Sequence, residues 1–262
     1  MGLLLDPGLG KTGIILATLS LLLRKLLVRR CLVVAPLRAA YLVWPAEIKK
    51  WTNFNHLTCA ILHGPGKLER LNQPADLYVI NPEGLPWLFK QRGWRKFDML
   101  VVDESTQFKN STGKRFRLLR GALNSFRRRY ILTGTPAPNG LIDLFGQIYI
   151  LDQGHALGRF VTHYRQKWFV PAGYRNYDWQ PVEGAEREIA KAIEPITVRM
   201  RAEDYINMPQ LQNHFIMLDL PTGARRHYNE LEQEFFTLLE EEPIVAPNTA
   251  VAGGKCRQIL NG

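Results

Sequence analysis

Cysteine is scarce in this chain: Cys31, Cys59 and Cys256 are the only three in 262 residues, an odd number at wide spacings. That excludes a disulfide-stapled framework and fits a reducing compartment. Long hydrophobic runs are also lacking. The stretch from Gly13 to Leu23 is too short to span a bilayer, follows Asp6 and Lys11, and has no small-residue cleavage site, so it reads as a buried helix. There is no internal repeat and no low-complexity tract. Acidic residues are in deficit, 24 Asp+Glu against 34 Lys+Arg, which leaves a formal net charge of +10. A hydrophobic share of 46% argues against disorder and supplies a core for one large domain or two small ones.

The basic excess is uneven. Residues 1–140 hold 22 Lys+Arg against 8 Asp+Glu, a net of +14, whereas residues 141–262 hold 12 against 16, a net of −4. Such a split suggests a basic working face in the first part and a polyanionic partner, of which nucleic acid is the commonest. The run His56-x-x-Cys59-x-x-x-His63 can be drawn as three metal ligands. Ordinary zinc sites need four, and the run alternates as a strand does, so the strand reading is preferred.

Short apolar runs alternate with helical patterns through the first part. Leu3 to Leu5, Cys31 to Ala35, Thr58 to Leu62, Leu77 to Ile80, Met99 to Val102 and Arg129 to Leu132 have strand length; Thr12 to Leu27 and residues 38–51 have helical spacing. Near-continuous apolar strands with helices between them predict a doubly wound α/β domain with a mainly parallel sheet covered on both faces. After Gly140 the rhythm changes. Residues 141–151 and Glu183 to Ala192 read as helices, and 158–181 as an irregular or hairpin insertion rich in aromatics. Gln212 to Leu218 alternates as a strand, and Thr222 to Glu242 reads as a helix with Thr222 at the N-cap.

Three blocks carry chemistry. Asp6-Pro7-Gly8-Leu9-Gly10-Lys11-Thr12 lies between the first strand and the first helix. In a phosphate-binding loop, glycines let successive backbone N–H groups face the phosphates, and the helix adds its positive end. Lys11 would reach the β- and γ-phosphates and the Thr12 hydroxyl would ligate Mg²⁺. The strict pattern places a glycine where this chain has Leu5. Met99 to Glu104 is an apolar strand ending in two carboxylates; Asp103 would hold Mg²⁺ and Glu104 would polarise the attacking water. Leu132-Thr133-Gly134-Thr135-Pro136 ends a further strand in small hydroxyl residues, which could hydrogen-bond the neighbouring carboxylates or simply cap a turn.

With these blocks in order, the chain resembles the first RecA-like lobe of a Swi/Snf-type superfamily-two helicase-like ATPase, most closely its phage and prophage members. Asp6 to Thr12 resembles motif I, Val33 to Leu37 with Trp44 and Trp51 motif Ia, and Asn81-Pro82-Glu83-Gly84 motif Ib. Asp103 to Asn110 resembles the D-E-A-H-x-x-K-N form of motif II, with Thr106 in place of His. Leu132 to Asn139 resembles motif III, Ile196 to Pro209 the R-x-K-x-D…L-P segment, and Lys255 to Ile259 the helix that opens the second lobe. The resemblance implies a RecA-like lobe over 1–221, with a mixed insertion at about 150–207, and a linker over 222–262. It implies ATP and Mg²⁺ as cofactors, coupling through Thr133, Gly134 and Thr135, and DNA contacts at Arg38, Asn81 and Lys109, with Lys114 and Arg115 beside them.

The implied activity is a DNA-dependent ATPase and translocase acting on double-stranded DNA without sequence preference, in the cytoplasm of a bacterial or phage-infected cell and away from membranes. The glutamine motif before motif I and motifs IV to VI, including the arginine fingers, fall outside the residues that match. The single lobe is therefore expected to hydrolyse ATP poorly without a second one. A non-catalytic nucleic-acid-binding adaptor is the alternative. Intact Lys11, Thr12, Asp103 and Glu104 weigh against it. Arg24-Lys25, Arg29-Arg30 and Arg127-Arg128-Arg129 read as solvated element ends, and Trp168, Phe169, Tyr174, Tyr177 and Trp179 as a small aromatic core rather than base-stacking groups.

Overall fold

The computed structural model describes residues 1–173, 178–205 and 219–230. The chain divides into two compact units, Met1–Met208 and Pro209–Gly262. Among the described residues the first unit has nine strands: β1 Gly2–Leu5, β2 Cys31–Val34, β3 Cys59–Ile61, β4 Leu77–Ile80, β5 Met99–Asp103, β6 Arg128–Thr133, β7 Phe169–Ala172, β8 Asp178–Pro181 and β9 Thr197–Met200. Its helices are α1 Lys11–Arg24, α2 Trp44–Lys50, α3 Lys67–Asn72, α4 Leu85–Leu88, α5 Lys114–Ala122, α6 Leu144–Asp152, α7 Val161–Trp168 and α8 Ala185–Ile193.

Seven strands form one sheet in the order β3-β4-β2-β5-β6-β1-β9, every neighbouring pair parallel. The expected doubly wound sheet is thus present. Strands that look uniformly apolar in sequence still sort by twos: Leu32, Val34, Leu100 and Val102 pack on one face, Cys31, Val33, Met99 and Val101 on the other. Each such side chain contributes roughly 1.5–3 kcal/mol on leaving water, and the need to cover both faces draws helices to both. Helices α1 and α2 cover one face through Ile15, Leu16, Leu19, Trp44 and Ile48. The other face lies under Leu85, Phe116, Leu119, Phe145 and Ile148. A parallel sheet puts all carboxyl ends on one edge, and loops after β1, β5, β6 and β9 gather there.

Several boundaries differ from the sequence expectation. Helix α1 ends at Arg24 rather than at Leu27 because Leu26 turns left-handed at φ 55°. The Leu26 and Leu27 N–H groups bond the Leu23 and Leu22 carbonyls, both at 2.9 Å, which is a Schellman end with leucine where glycine is usual. Residues 38–51 are not one regular helix. Pro45 lacks an N–H and would crowd the carbonyl four residues back, and the chain opens into a π-turn over Ala39–Val43 before α2 begins.

Within 158–181 the expected hairpin is present as antiparallel β7–β8, but α7 precedes it. Its buried residues are only Tyr164 and Trp168, too few to show a period. Trp168 and Phe169 are buried against Tyr164, and Trp179 packs beside them, so the aromatic-core reading holds there. Tyr174 and Tyr177 lie outside the described residues.

Strand β9 was not anticipated. Its pattern is only partly buried, as suits a sheet edge. In the second unit, residues 222–230 are helical and the Arg225 N–H bonds the Pro221 carbonyl at 2.9 Å. Pro221, not Thr222, therefore holds the cap position. The expected strand at 212–218 and the helix beyond 230 fall outside the described residues. Among the described residues no helix is long and apolar enough to cross a membrane.

Candidate nucleotide site and its neighbours

The turn after β1 is shaped by backbone before side chains enter. Gly8 and Gly10 take φ of 88° and 75°, a region that a Cβ disfavours, and Gly10 is the N-cap of the 14-residue α1. The Lys11 ammonium folds back to donate to the Leu5 carbonyl at 2.7 Å and the Asp6 carbonyl at 3.1 Å. Thr12 follows in the first turn of α1. The Asp6 carboxylate accepts the Ala202 N–H at 2.9 Å, and the Asp6 N–H donates to the Met200 carbonyl at 3.2 Å, so the segment after β9 anchors this turn. Pro7 completes it at the surface, and half-buried Leu9 packs against the core on the α1 side.

Strand β5 delivers the carboxylates, with β6 standing between it and β1. Burial raises the Asp103 carboxyl above its ordinary pKa, opposed by hydrogen bonds from Trp44 and the Glu104 N–H and by the Lys11 charge. Glu104 is also raised, by burial first and then by Asp103, with Lys11 opposing. Burial lowers Lys11, opposed by Glu104, Asp103 and Asp6. Lys11 feels the charges of both carboxylates, Glu104 those of Asp103 and Lys11, and Asp103 that of Lys11, so the three groups share one neighbourhood. Glu104 sits at φ 51°, ψ 60°, a left-handed conformation costly for a residue with a Cβ. Strain of that kind concentrates at functional positions.

Two side chains organise the cluster: Trp44, which the sequence marks only through the motif Ia resemblance, and Gln147, which it leaves unmarked. The Trp44 indole, fully buried, donates to Asp103 Oδ2 at 3.1 Å and fixes one carboxylate oxygen. Gln147 of α6 is 1% exposed, accepts the Ser105 hydroxyl at 2.6 Å, and donates to the carbonyls of Pro136 at 2.6 Å and Asp143 at 2.9 Å. It thereby ties the loop after β5 to the loop after β6. Gly146 is required beside it, since a Cβ there would run into the Phe108 carbonyl oxygen.

Thr133, Gly134 and Thr135 lie at the end of β6, but the Thr133 hydroxyl accepts the Thr135 N–H at 3.1 Å within its own turn. No hydrogen bond joins it to Asp103 or Glu104 among the described residues, so of the two readings Thr133 follows the turn-capping one. A Cβ on Gly134 would stand 3.1 Å from Pro7 Cδ, so the two loops touch through this glycine.

Arg38, Asn81 and Lys109 follow β2, β4 and β5 on the same sheet edge. Arg38 is exposed. Asn81 donates to Glu83 at 2.8 Å, and Glu83 also pairs with Arg115. The Lys109 ammonium is held by Asp143 at 3.1 Å, and the same Asp143 oxygen accepts the Asn139 N–H at 3.0 Å. The Arg29 and Arg30 backbones are held by the Asp98 carboxylate, and the Arg129 side chain by the Leu151 and Leu123 carbonyls, as structural element ends require. His56 pairs with Ser20 and His63 with Tyr41, and no group of three metal-ligating side chains is present among the described residues.

The fit to Mg²⁺ and nucleotide rests on the donor set. Thr12 and Asp103 offer hard oxygens beside an open glycine turn, where a Cβ built on Gly8, Gly10 or Gly13 meets no atom within 4 Å.

Comparison with known proteins places this arrangement. A family model described as the SNF2-related domain matches residues 1–261. Putative protein p41 of Acyrthosiphon pisum secondary endosymbiont phage 1 is 34% identical over 97% of this chain and 58% of that protein. The human DNA excision repair protein ERCC-6-like is 29% identical over 76% of this chain and 17% of that protein. The Sulfolobus solfataricus SWI2/SNF2 ATPase core, solved in complex with dsDNA, superposes with a TM-score of 0.62 at 21% identity, covering 99% of this chain and 53% of that one. The chain thus spans little more than half of the phage relative and of the solved core, and less of the human protein. Matched along nearly its whole length and bearing the three blocks at one sheet edge, the chain belongs to the SNF2-related domain family.

Proposed function

We propose that this chain is the ATP-binding lobe of a DNA-dependent ATPase that couples hydrolysis to movement along double-stranded DNA. The observation that carries the reading is geometric: a left-handed glycine turn capping α1, with Lys11 folded over it, lies on the sheet edge where β5 ends in Asp103 and Glu104. Lys11, parked on two carbonyls, is free to exchange them for β- and γ-phosphate oxygens. The Thr12 hydroxyl and Asp103 would hold Mg²⁺, which supplies charge neutralisation at the transferring phosphate when bound. Glu104, with its raised pKa, is a suitable acceptor for a proton of the attacking water.

The loop after β6 would read the site through Gln147 and the Gly134–Pro7 contact, which offers another route for the coupling role of the missing motif II histidine at Thr106. Arg38 and Asn81 are the proposed phosphate contacts. Lys109 joins them on release from Asp143. Such contacts carry no sequence code. A second RecA-like lobe would contribute an arginine, worth about 10³–10⁵ in rate, so the lobe alone is expected to bind ATP and turn it over slowly.

The test is calorimetric titration of the chain with MgATP, beside Lys11→Ala, and with mixed-sequence duplex DNA, beside Arg38→Ala. The reading expects ATP binding lost with Lys11 and salt-dependent DNA binding weakened with Arg38. Failure of the unsubstituted chain to bind ATP, or equal binding by Lys11→Ala, overturns it.

A further inference from the structure

The link that joins α1 to β2, from Arg24 to Arg30, carries four cations and no carboxylate. Because α1 starts where β1 ends and the link delivers the chain to the start of β2, it lies at the sheet edge opposite the glycine turn. Two exposed leucines stand at its centre. Leu26 is 89% exposed and Leu27 47%, while Val28 beside them is buried and anchors the link. Leu26 is also held at φ 55°, where a Cβ is costly and glycine is usual. Packing does not offset that strain, since the side chain faces solvent. A strained conformation kept for an exposed apolar side chain points to a use of that side chain outside the core.

The cations around the leucines are free. Among the described residues, the side chains of Arg24, Lys25, Arg29 and Arg30 enter no ion pair. The neighbouring Asp98 carboxylate is taken up by the Arg29 and Arg30 backbone N–H groups at 2.9 to 3.1 Å. Strand register adds further charge. Met99 of β5 pairs with Cys31 of β2 on one side and with Arg128 of β6 on the other, so the start of β6, with Arg127 and Arg128, lies two strand spacings, about 10 Å, from the start of β2. The helix macrodipole accounts for Arg24 at the end of α1, but it does not account for a strained leucine among the charges.

We propose that this patch docks an acidic amphipathic peptide of a partner protein, whose apolar side chains cover Leu26 and Leu27 while its carboxylates meet the surrounding cations. Charge complementarity sets the sign of the partner. The leucines set its class: a phosphate backbone is gripped by cations alone, and two leucines are too few to anchor a protein in a bilayer. The glycine turn and Arg38, Asn81 and Lys109 follow strands at the opposite edge, so a partner bound here leaves them open. The docking surface does not depend on the nucleotide reading.

The test is fluorescence anisotropy of a labelled synthetic peptide of Glu-Glu-Leu-Phe repeats, with Glu-Glu-Ser-Ser repeats as control, titrated with the full chain. The first peptide is expected to bind about tenfold more tightly than the control, since the leucines act on it alone. Leu26→Gly and Leu26→Asn both accept the left-handed conformation and remove the apolar side chain. Each should weaken the first peptide about tenfold without melting below the parent, and Leu26→Met should recover most of the affinity. Lys25→Gln combined with Arg29→Gln should weaken both peptides and flatten their salt dependence. Equal binding of the two peptides, unchanged affinity in Leu26→Gly, or an unsubstituted chain that binds neither peptide overturns the proposal. So does a mixed-sequence duplex or a phosphatidylserine vesicle that loses as much affinity in Leu26→Gly as the peptide does, because the leucines would then serve nucleic acid or lipid.

Discussion

Replacing Gln147 by methionine isolates the buried link between the loops after β5 and β6. Methionine keeps the length of the side chain and removes its hydrogen bonding. Three bonds are lost, from the Ser105 hydroxyl and to the Pro136 and Asp143 carbonyls. Ser105 is fully buried and Gln147 only 1% exposed, so the stranded hydroxyl cannot turn to bulk water. At about 1 kcal/mol net per neutral bond, with up to about 3 for a group left unsatisfied, the loss is about 2–5 kcal/mol. For a chain of this size each kcal/mol moves the melting midpoint by about 2–4 °C, so a drop of roughly 7–14 °C is expected near the centre of that range. Circular dichroism of the full chain measures it. Ser105→Ala in the Gln147→Met background should then cost about 1 kcal/mol less than it does alone, because the two residues share one bond. A loss under about 1 kcal/mol, or strict additivity of the two substitutions, refutes the claim that Gln147 is the link.

Three further perturbations probe other levels of the structure. Trp44→Phe keeps an aromatic ring and deletes the N–H that fixes Asp103; the Mg²⁺ concentration for half-maximal nucleotide binding should rise about three- to tenfold, and an unchanged requirement would show that the contact does not orient the carboxylate. Glu104→Gln tests the direction of its pKa. Burial and Asp103 raise the folded value, so the ionised form opposes folding at neutral pH and that cost disappears below the unfolded carboxylate range; the variant should melt higher than the parent at pH 7 and equally at about pH 3, and a gain that persists in acid would contradict the sign. Leu26→Gly relieves a left-handed leucine that is 89% exposed at the end of α1, and a rise of about 0.5–1 kcal/mol in unfolding free energy is expected in urea titration; a loss would mean that the leucine contributes packing which its exposure does not show.

What the sequence shows and hides divides along the range of the interactions. Lys11, Thr12, Asp103 and Glu104 are legible because each block carries its chemistry in contiguous residues with a strand on one side. The parallel sheet is legible for the same reason: two-sided burial leaves runs such as Leu77–Ile80 uniformly apolar. Trp44, Gln147 and Asp143 act on partners 59, 42 and 34 residues away; Trp44 is marked only by the motif Ia resemblance, and no local pattern shows any of the three contacts. Even the end of α1 escapes, since Leu26 and Leu27 continue an apolar run with no glycine to stop it.

Strand order explains why these hidden residues matter. Because β6 stands between β1 and β5, Asp103 and the glycine turn cannot be next neighbours in the sheet, and what aligns them has to come from beside or across it. Trp44, held at the foot of a π-turn forced by Pro45, reaches Asp103 from the β2 side. Gln147 and Asp143, on the element after β6, grip the loop after β5 at Ser105 and Lys109. The motif I and motif II blocks thus supply the reactive groups, and their relative placement is set by Trp44, Gln147 and Asp143 through contacts that neither block contains. A change in the nucleotide that shifts the Asp103 loop must then load Ser105 and Lys109. The same bonds tie that loop to the segment from Pro136 to Asp143, so under the proposed function this segment is the place where coupling is to be measured.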